Sequence, residues 1–167
     1  QAGGLVSNHL HDRIQVGHHV TVSAPDGAFT LPAATPPRLL LIGGGSGITP
    51  LMAMLQHLHR EAPATRVTLI YFARSRAERI FAEALDELAR QWPAFRYVPV
   101  DSTAHTAAGG REPAAAPALL DEALLSRVAP DWARTPTWCC GPAPLMAAAR
   151  TLWQQAGQAG QLHLEAF

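Results

Sequence analysis

Apolar and polar positions along this chain switch repeatedly between a strand-like and a helix-like period, and the switches predict its elements in order. Leu39-Leu40-Leu41-Ile42 is an unbroken apolar run, so Arg38 to Ile42 is expected to be a buried strand. Leu51 to His59 reads as a helix, and Arg66 to Phe72 as a second, β-rich strand. From Ile80 to Trp92 the apolar residues Phe81, Leu85, Leu88 and Trp92 recur at helical spacing, with Glu83, Asp86 and Glu87 on the other side. Phe95 to Val100 alternates like a strand, and Ala118 to Val128 reads as a helix. Thr137 to Cys140 is a strand, Pro144 to Ala156 a helix, and Gln161 to Phe167 a last strand. Alternating β and α implies an α/β fold: an open, parallel, five-stranded Rossmann-like sheet with helices on both faces. Ligands of such sheets bind at the carboxyl ends of the strands.

The ends of this pattern read differently. Thr21-Val22-Ser23 and Phe29-Thr30-Leu31 are short strand-like pieces split by the turn signal Pro25-Asp26-Gly27. Two such strands make no independent sheet, so residues 1–32 read as the tail of an all-β unit. Pro32-Ala33-Ala34-Thr35-Pro36-Pro37 reads as a linker. The expected division is 1–36 for the partial β-unit with its linker and 37–167 for the α/β domain. Residues 101–117, rich in Ala, Gly and Pro, form a loop.

Composition narrows the function classes. The 167 residues are 48% hydrophobic and 16% charged, which argues for a packed core and against disorder. Thirteen basic side chains balance thirteen acidic ones, so no charge excess invites nucleic acid or an anionic membrane. No apolar stretch approaches the roughly twenty residues of a membrane span. The two cysteines, Cys139 and Cys140, make no disulfide framework, and a cytoplasmic setting is expected. Eight histidines include His9 with His11, His18 with His19, and His57 with His59, but their spacings point to different faces. No metal site is expected.

Two motifs carry the chemistry. Gly43-Gly44-Gly45-Ser46-Gly47-Ile48-Thr49-Pro50 lies between a strand and a helix, where backbone N–H groups can hold a pyrophosphate. A phosphate-binding P-loop would need Lys followed by Ser or Thr; Ile48-Thr49 stands there, which argues against nucleotide hydrolysis. The dinucleotide fingerprint is imperfect as well, with Ile48 at its third glycine and no acidic residue closing the next strand. A plain strand-to-helix connector is the alternative. About ninety positions on, Cys140-Gly141-Pro142 puts a thiol on a tight turn after a strand, where a packing cysteine is equally at home. Arg74-Ser75-Arg76 follows the second strand and suits a dianionic phosphate, or forms a solvated charge cluster with Glu78 and Arg79.

Taken in order with Gly4-Leu5-Val6-Ser7, these motifs resemble the ferredoxin–NADP reductase superfamily of flavoprotein reductases, over nearly the whole chain. The resemblance implies that Gly44, Gly45, Gly47, Thr49 and Pro50 face a nicotinamide dinucleotide. It implies that Arg74, Ser75 and Arg76 read the 2′ end, favouring NADPH over NADH, and that Gly141 and Pro142 bind with them. Cys140 would lie beside the nicotinamide and flavin rings and orient them, without covalent catalysis. Gly4, Leu5, Val6 and Ser7 would hold the FAD pyrophosphate, with Ser7 as an ordinary N-cap the alternative. Glu165 and Phe167 would approach the isoalloxazine.

The family's Arg-x-Tyr-Ser or Arg-x-Tyr-Thr flavin motif does not occur in the 167 residues, nor does a four-cysteine iron–sulfur pattern. Residues 1–36 are therefore expected to be the end of an FAD-binding β-barrel, and the chain a piece of a longer electron-transfer protein. The implied activity is hydride transfer from NAD(P)H to FAD. Single electrons would then pass to a 2Fe-2S ferredoxin domain or to a haem, oxygenase or desaturase partner. The alternative is a non-catalytic module that senses NAD(P)H or docks a partner.

Overall fold

A computed structural model describes residues 3–102 and 120–166. Five parallel strands form one sheet: β1 (Arg38–Gly44), β2 (Arg66–Ala73), β3 (Phe95–Asp101), β4 (Thr137–Cys140) and β5 (Leu162–Glu165). Their spatial order is β3-β2-β1-β4-β5, so the order reverses between β1 and β4. At such a switch point the turns leaving the two neighbouring strands diverge and leave a crevice at the carboxyl edge.

Helices α2 (Ile48–Glu61) and α3 (Ala82–Gln91) cover one face, and α4 (Glu122–Val128) and α5 (Ala143–Gln155) the other. The apolar sequence divides between the faces by strand alternation. Leu39, Leu41, Leu69 and Tyr71 join Leu51, Leu55 and Leu58 of α2 and Leu85 of α3 on one side. Leu40, Ile42, Ile70 and Cys139 join Leu125, Ala149 and Trp153 on the other. Both faces are buried, which is why β1 reads as a continuous apolar run. The Asp121 carboxylate caps α4 by accepting from the Leu124 amide at 2.7 Å.

Several expectations shift. β1 runs to Gly44 because ladder bonds use backbone, not side chains. α2 starts at Ile48, three residues before the apolar pattern, since Pro50 is tolerated in a first helical turn. α3 starts at Ala82 rather than Ile80, because Phe81 adopts φ 60°, outside the helical region. α4 is described from Glu122; the expected start at Ala118 and most of the 101–117 loop lie outside the described residues, as does Phe167.

The largest correction is at the N-terminus. Thr21–Ser23 and Phe29–Leu31 form no strand, since no neighbouring strand offers them a ladder among the described residues. This part instead begins with α1 (Leu5–Arg13), which has no buried residue. Leu5, Val6, Val16 and Val22 are all largely exposed. Only the end of the segment docks: Phe29 and Leu31 pack on the core, and Trp138 Nε1 donates to Thr30 O at 3.1 Å.

Candidate functional site

The two motifs meet at the switch point. β1 and β4 are paired through Gly43 and Cys140, so the glycine turn and the Gly141-Pro142 turn leave the sheet side by side. Their contact is close enough to demand glycine. A Cβ on Gly47 would lie 2.8 Å from Gly141 N and closer still to the Cys140 carbonyl group. A Cβ on Gly44 would lie 2.7 Å from both Pro142 Cδ and Leu145 Cδ2. Sequence positions ninety apart thus form one packed unit.

Gly45 is the exception, and an informative one. Its φ is +55°, the left-handed region that favours glycine, and nothing stands within 4 Å of where its Cβ would be. That open space is part of a cleft of about 340 Å³. Gly44 and Gly45 form one wall; Phe72 and Ala73 end β2, and Arg74 and Glu78 follow it; Ser102 follows β3; Pro142, Pro144 and Leu145 open α5. A ligand there meets backbone on one side, a guanidinium on another and apolar surface between.

Arg74 pairs with Glu78, and Arg76 donates to Asp86 at 2.8 Å. That hydrogen bond, with the Asp86 charge, holds the Arg76 guanidinium above its ordinary pKa. Arg74 lines the cleft; Ser75 and Arg76 stand beyond its lining. Thr49 and Pro50 also lie outside it, in the first turn of α2, where Thr49 Oγ1 donates to Ser46 O at 2.9 Å.

One row crosses the whole sheet at its carboxyl end: Pro99, Tyr71, Gly43, Cys140 and Glu165 stand in register on β3, β2, β1, β4 and β5. Cys140 and Glu165 are therefore neighbours. Cys140 exposes no surface, and its thiol is pushed up to about 11, by burial first and by the Glu165 charge second. It lies beneath the glycine turn rather than on the cleft wall. Cys139 faces the opposite core, where burial pushes its thiol to about 12.

Gly4 is the N-cap of α1, without a side-chain cap, and Ser7 sits inside the first turn, so the ordinary N-cap alternative for Ser7 does not hold. Leu5, Val6 and Ser7 are exposed and are not among the residues lining the cleft. No cluster of three potential metal ligands occurs among the described residues. No helix among them is long and apolar enough to cross a membrane.

Sequence reasoning missed Ser102 and above all Tyr71, and named Glu78 only as a member of a charge cluster, the pairing with Arg74 seen here. The Tyr71 hydroxyl donates to Gly45 O at 3.0 Å and accepts from the Ile80 amide at 3.1 Å. Burial raises its pKa, opposed by the Ile80 bond and by the nearby Arg79 charge. The available signal was a tyrosine near the carboxyl end of a buried strand, where a phenol hydroxyl needs a partner.

Comparison with known proteins accords with this geometry. Residues 41–151 match the family described as the oxidoreductase NAD-binding domain. The chain is 37% identical over 164 residues to an NADPH oxidoreductase of Mycobacterium tuberculosis, covering 98% of this chain and 40% of that protein. It is also 37% identical over 167 residues to the ferredoxin reductase component of 3-ketosteroid-9-alpha-monooxygenase from the same species, covering 99% and 43%. The chain thus spans less than half the length of these curated relatives. Among solved structures, the flavohem-like FAD/NAD binding domain of a Vibrio cholerae nitric oxide dioxygenase superposes with a TM-score of 0.78 at 26% identity, covering 98% of this chain and 65% of that one. The match over two thirds of the chain, on a five-stranded parallel sheet with its glycine turn at the switch point, means that the chain belongs to the oxidoreductase NAD-binding domain family, within the ferredoxin–NADP reductase superfamily.

Proposed function

We propose that this chain is the pyridine-nucleotide module of an NAD(P)H-dependent flavoprotein reductase. In it hydride passes from NAD(P)H to FAD and single electrons pass on to an iron–sulfur or haem partner. The observation that carries the reading is the cleft at the switch point, where Gly44-Gly45, Arg74 and Pro142 converge from three separate turns. Its open space at Gly45 gives a pyrophosphate direct access to backbone, beside the N-terminal end of α2.

When bound, the nicotinamide supplies the hydride and the flavin divides the electron pair. The chain's residues do the holding. Gly44, Gly45 and Gly47 shape the turn, and Thr49 and Pro50 start the helix behind it. Gly141 and Pro142 close the other wall. Arg74, with Ser75 and Arg76 beyond it, meets the 2′ end, and a 2′-phosphate there competes with Glu78 for the Arg74 guanidinium. This arrangement favours NADPH over NADH. Cys140 and Glu165, adjacent at the carboxyl edge, define the nicotinamide end together with Phe167. The uncapped first turn of α1, Gly4 to Ser7, takes the FAD pyrophosphate, with residues 1–36 belonging to the FAD unit and 37–167 to the nucleotide domain. Relatives named as a ferredoxin reductase component and a flavohem-like domain support a 2Fe-2S or haem partner. The free, buried cysteines suit the reducing cytoplasm.

A second reading, nucleotide binding without hydride transfer, is favoured by the complete burial of Cys140. An anaerobic titration separates the two. The chain, supplied with FAD, is titrated with NADPH and then NADH while visible flavin absorbance is followed. Bleaching that weakens in Cys140→Ala supports the reductase; calorimetric binding without bleaching, persisting when an FAD-binding barrel is supplied with the chain, supports the second reading; no binding of either nucleotide refutes both.

A further inference from the structure

Tyr71 is a buried polar group in this site that the proposed chemistry does not use. It has no exposed surface, and its hydroxyl is bonded at once to the glycine turn, through Gly45 O, and to the loop after β2, through Ile80 N. That loop begins with Arg74 and Ser75 and ends at Phe81, the one non-glycine residue of positive φ among those described. A bulky side chain in that region is disfavoured, and Phe81 remains 43% exposed, so packing alone does not hold it there. The fixed points lie just before it: Arg79 pairs with Asp101 at the end of β3, and Ile80 N donates to Tyr71.

We propose that Tyr71 is a positioning residue that holds the Arg74–Ser75 loop at a set distance from the glycine turn. It thereby sets the discrimination between dinucleotides with and without a 2′-phosphate. The inference rests on the dinucleotide reading above. Its logic lies in the two bonds. The Gly45 bond serves the pyrophosphate, which both dinucleotides share, so its loss cancels in a ratio of affinities. The Ile80 bond serves the loop that meets the 2′ end, so its loss falls on the phosphorylated dinucleotide. Pre-organisation of a charged contact is what a free, relaxed loop lacks.

The test measures the affinities of NADP⁺ and NAD⁺ for the full chain and for Tyr71→Phe at fixed ionic strength. Tyr97→Phe is the control, since the Tyr97 hydroxyl is buried without a hydrogen-bond partner among the described residues. Tyr71→Phe is expected to lower the NADP⁺:NAD⁺ affinity ratio about tenfold, the scale of one buried hydrogen bond, while Tyr97→Phe leaves it unchanged. A purely structural role for Tyr71 weakens both ligands alike; an unchanged ratio, or equal affinities in the wild-type chain, overturns the proposal. Failure of the wild-type chain to bind either dinucleotide overturns instead the reading beneath it. Hydrogen exchange on the unaltered chain gives a readout independent of the variant. The Ile80 amide is expected to be protected in the free chain and further slowed by NADP⁺ but not by NAD⁺; exchange at the unprotected rate overturns the proposal.

Discussion

Replacing Gly47 by alanine tests whether the two turns are seated on one another. The added methyl would stand 2.8 Å from Gly141 N and nearer to the Cys140 carbonyl, against the 3.4 Å at which ordinary contact begins. Something must move by well over half an ångström, and every opposing atom is backbone. Cys140 ends a four-residue strand paired to β1 and β5 on either side, so it yields only by stretching those ladders. The other route is to lift the glycine turn off Gly141, which parts the walls of the cleft. Overpacking costs about 1–3 kcal/mol, and a rigid backbone partner puts this case at the upper end, about 3 kcal/mol. A shift of that size at the turn should also weaken dinucleotide binding by about tenfold or more. The assay is urea unfolding followed by circular dichroism, paired with calorimetric titration of NADP⁺. Gly160→Ala is the control, because nothing lies within 4 Å of its Cβ position, and it should change stability by less than about 0.5 kcal/mol. If Gly47→Ala matches the control in stability and affinity, the two turns do not pack as described and the assignment of the site fails.

Other parts of the molecule make three further predictions. Arg79 is 7% exposed and pairs with Asp101, so Arg79→Met strands a carboxylate that is only 31% exposed. The expected loss is about 2 kcal/mol, or roughly 4–8 °C in Tm, and Arg79→Met/Asp101→Leu should recover part of it in the same thermal scan. Burial pushes the thiols of Cys139 and Cys140 up to about 12 and about 11 in the folded chain, from an ordinary 9.0. Above pH 9 the unfolded chain releases protons that the native chain keeps, so stability falls between pH 9 and 11 and is insensitive to these groups below about pH 8. Urea midpoints across that range should show a shallower fall in the Cys139→Ala/Cys140→Ala chain, and an identical slope would contradict the burial. Finally, residues 5–13 contain no buried side chain, whereas Phe29 and Leu31 pack on the core. A chain starting at Gly27 should unfold within about 1 kcal/mol of the full chain, whereas Trp138→Phe, which loses the bond to Thr30, should loosen the 28–31 segment to proteolysis.

The middle of the sheet was legible because β1, β2 and β4 are buried on both faces, and an unbroken apolar run as short as Leu39 to Ile42, closed by glycine, suits a strand covered on both sides. Helix α3 was legible in its body and not at its start, since nothing in Ile80-Phe81 announces a left-handed backbone at Phe81. The expected strands at Thr21–Ser23 and Phe29–Leu31 illustrate the limit of β-propensity: valine and threonine favour a ladder only where a neighbouring strand supplies one. At the site, the glycines and the Cys140-Gly141-Pro142 turn could be read from their place after strands. Their mutual contact could not, because strand order is a tertiary fact. Tyr71 was hidden for a related reason. Its two bonds go to backbone groups of residues 26 positions before it and nine after, and no side-chain pattern encodes a backbone acceptor.

The seating of Gly47 on the Cys140–Gly141 peptide also bears on how such modules can be recombined. A crossover anywhere between the two turns would join a glycine turn from one parent to a Gly-Pro turn from another, and at Gly47 the fit leaves no side chain to absorb a mismatch. Viable chimeras should therefore keep both turns from a single parent and exchange material outside them. In sequence sets, substitutions at 44 and 47 should be found together with changes at 141, 142 and 145, so that two distant stretches are inherited as one.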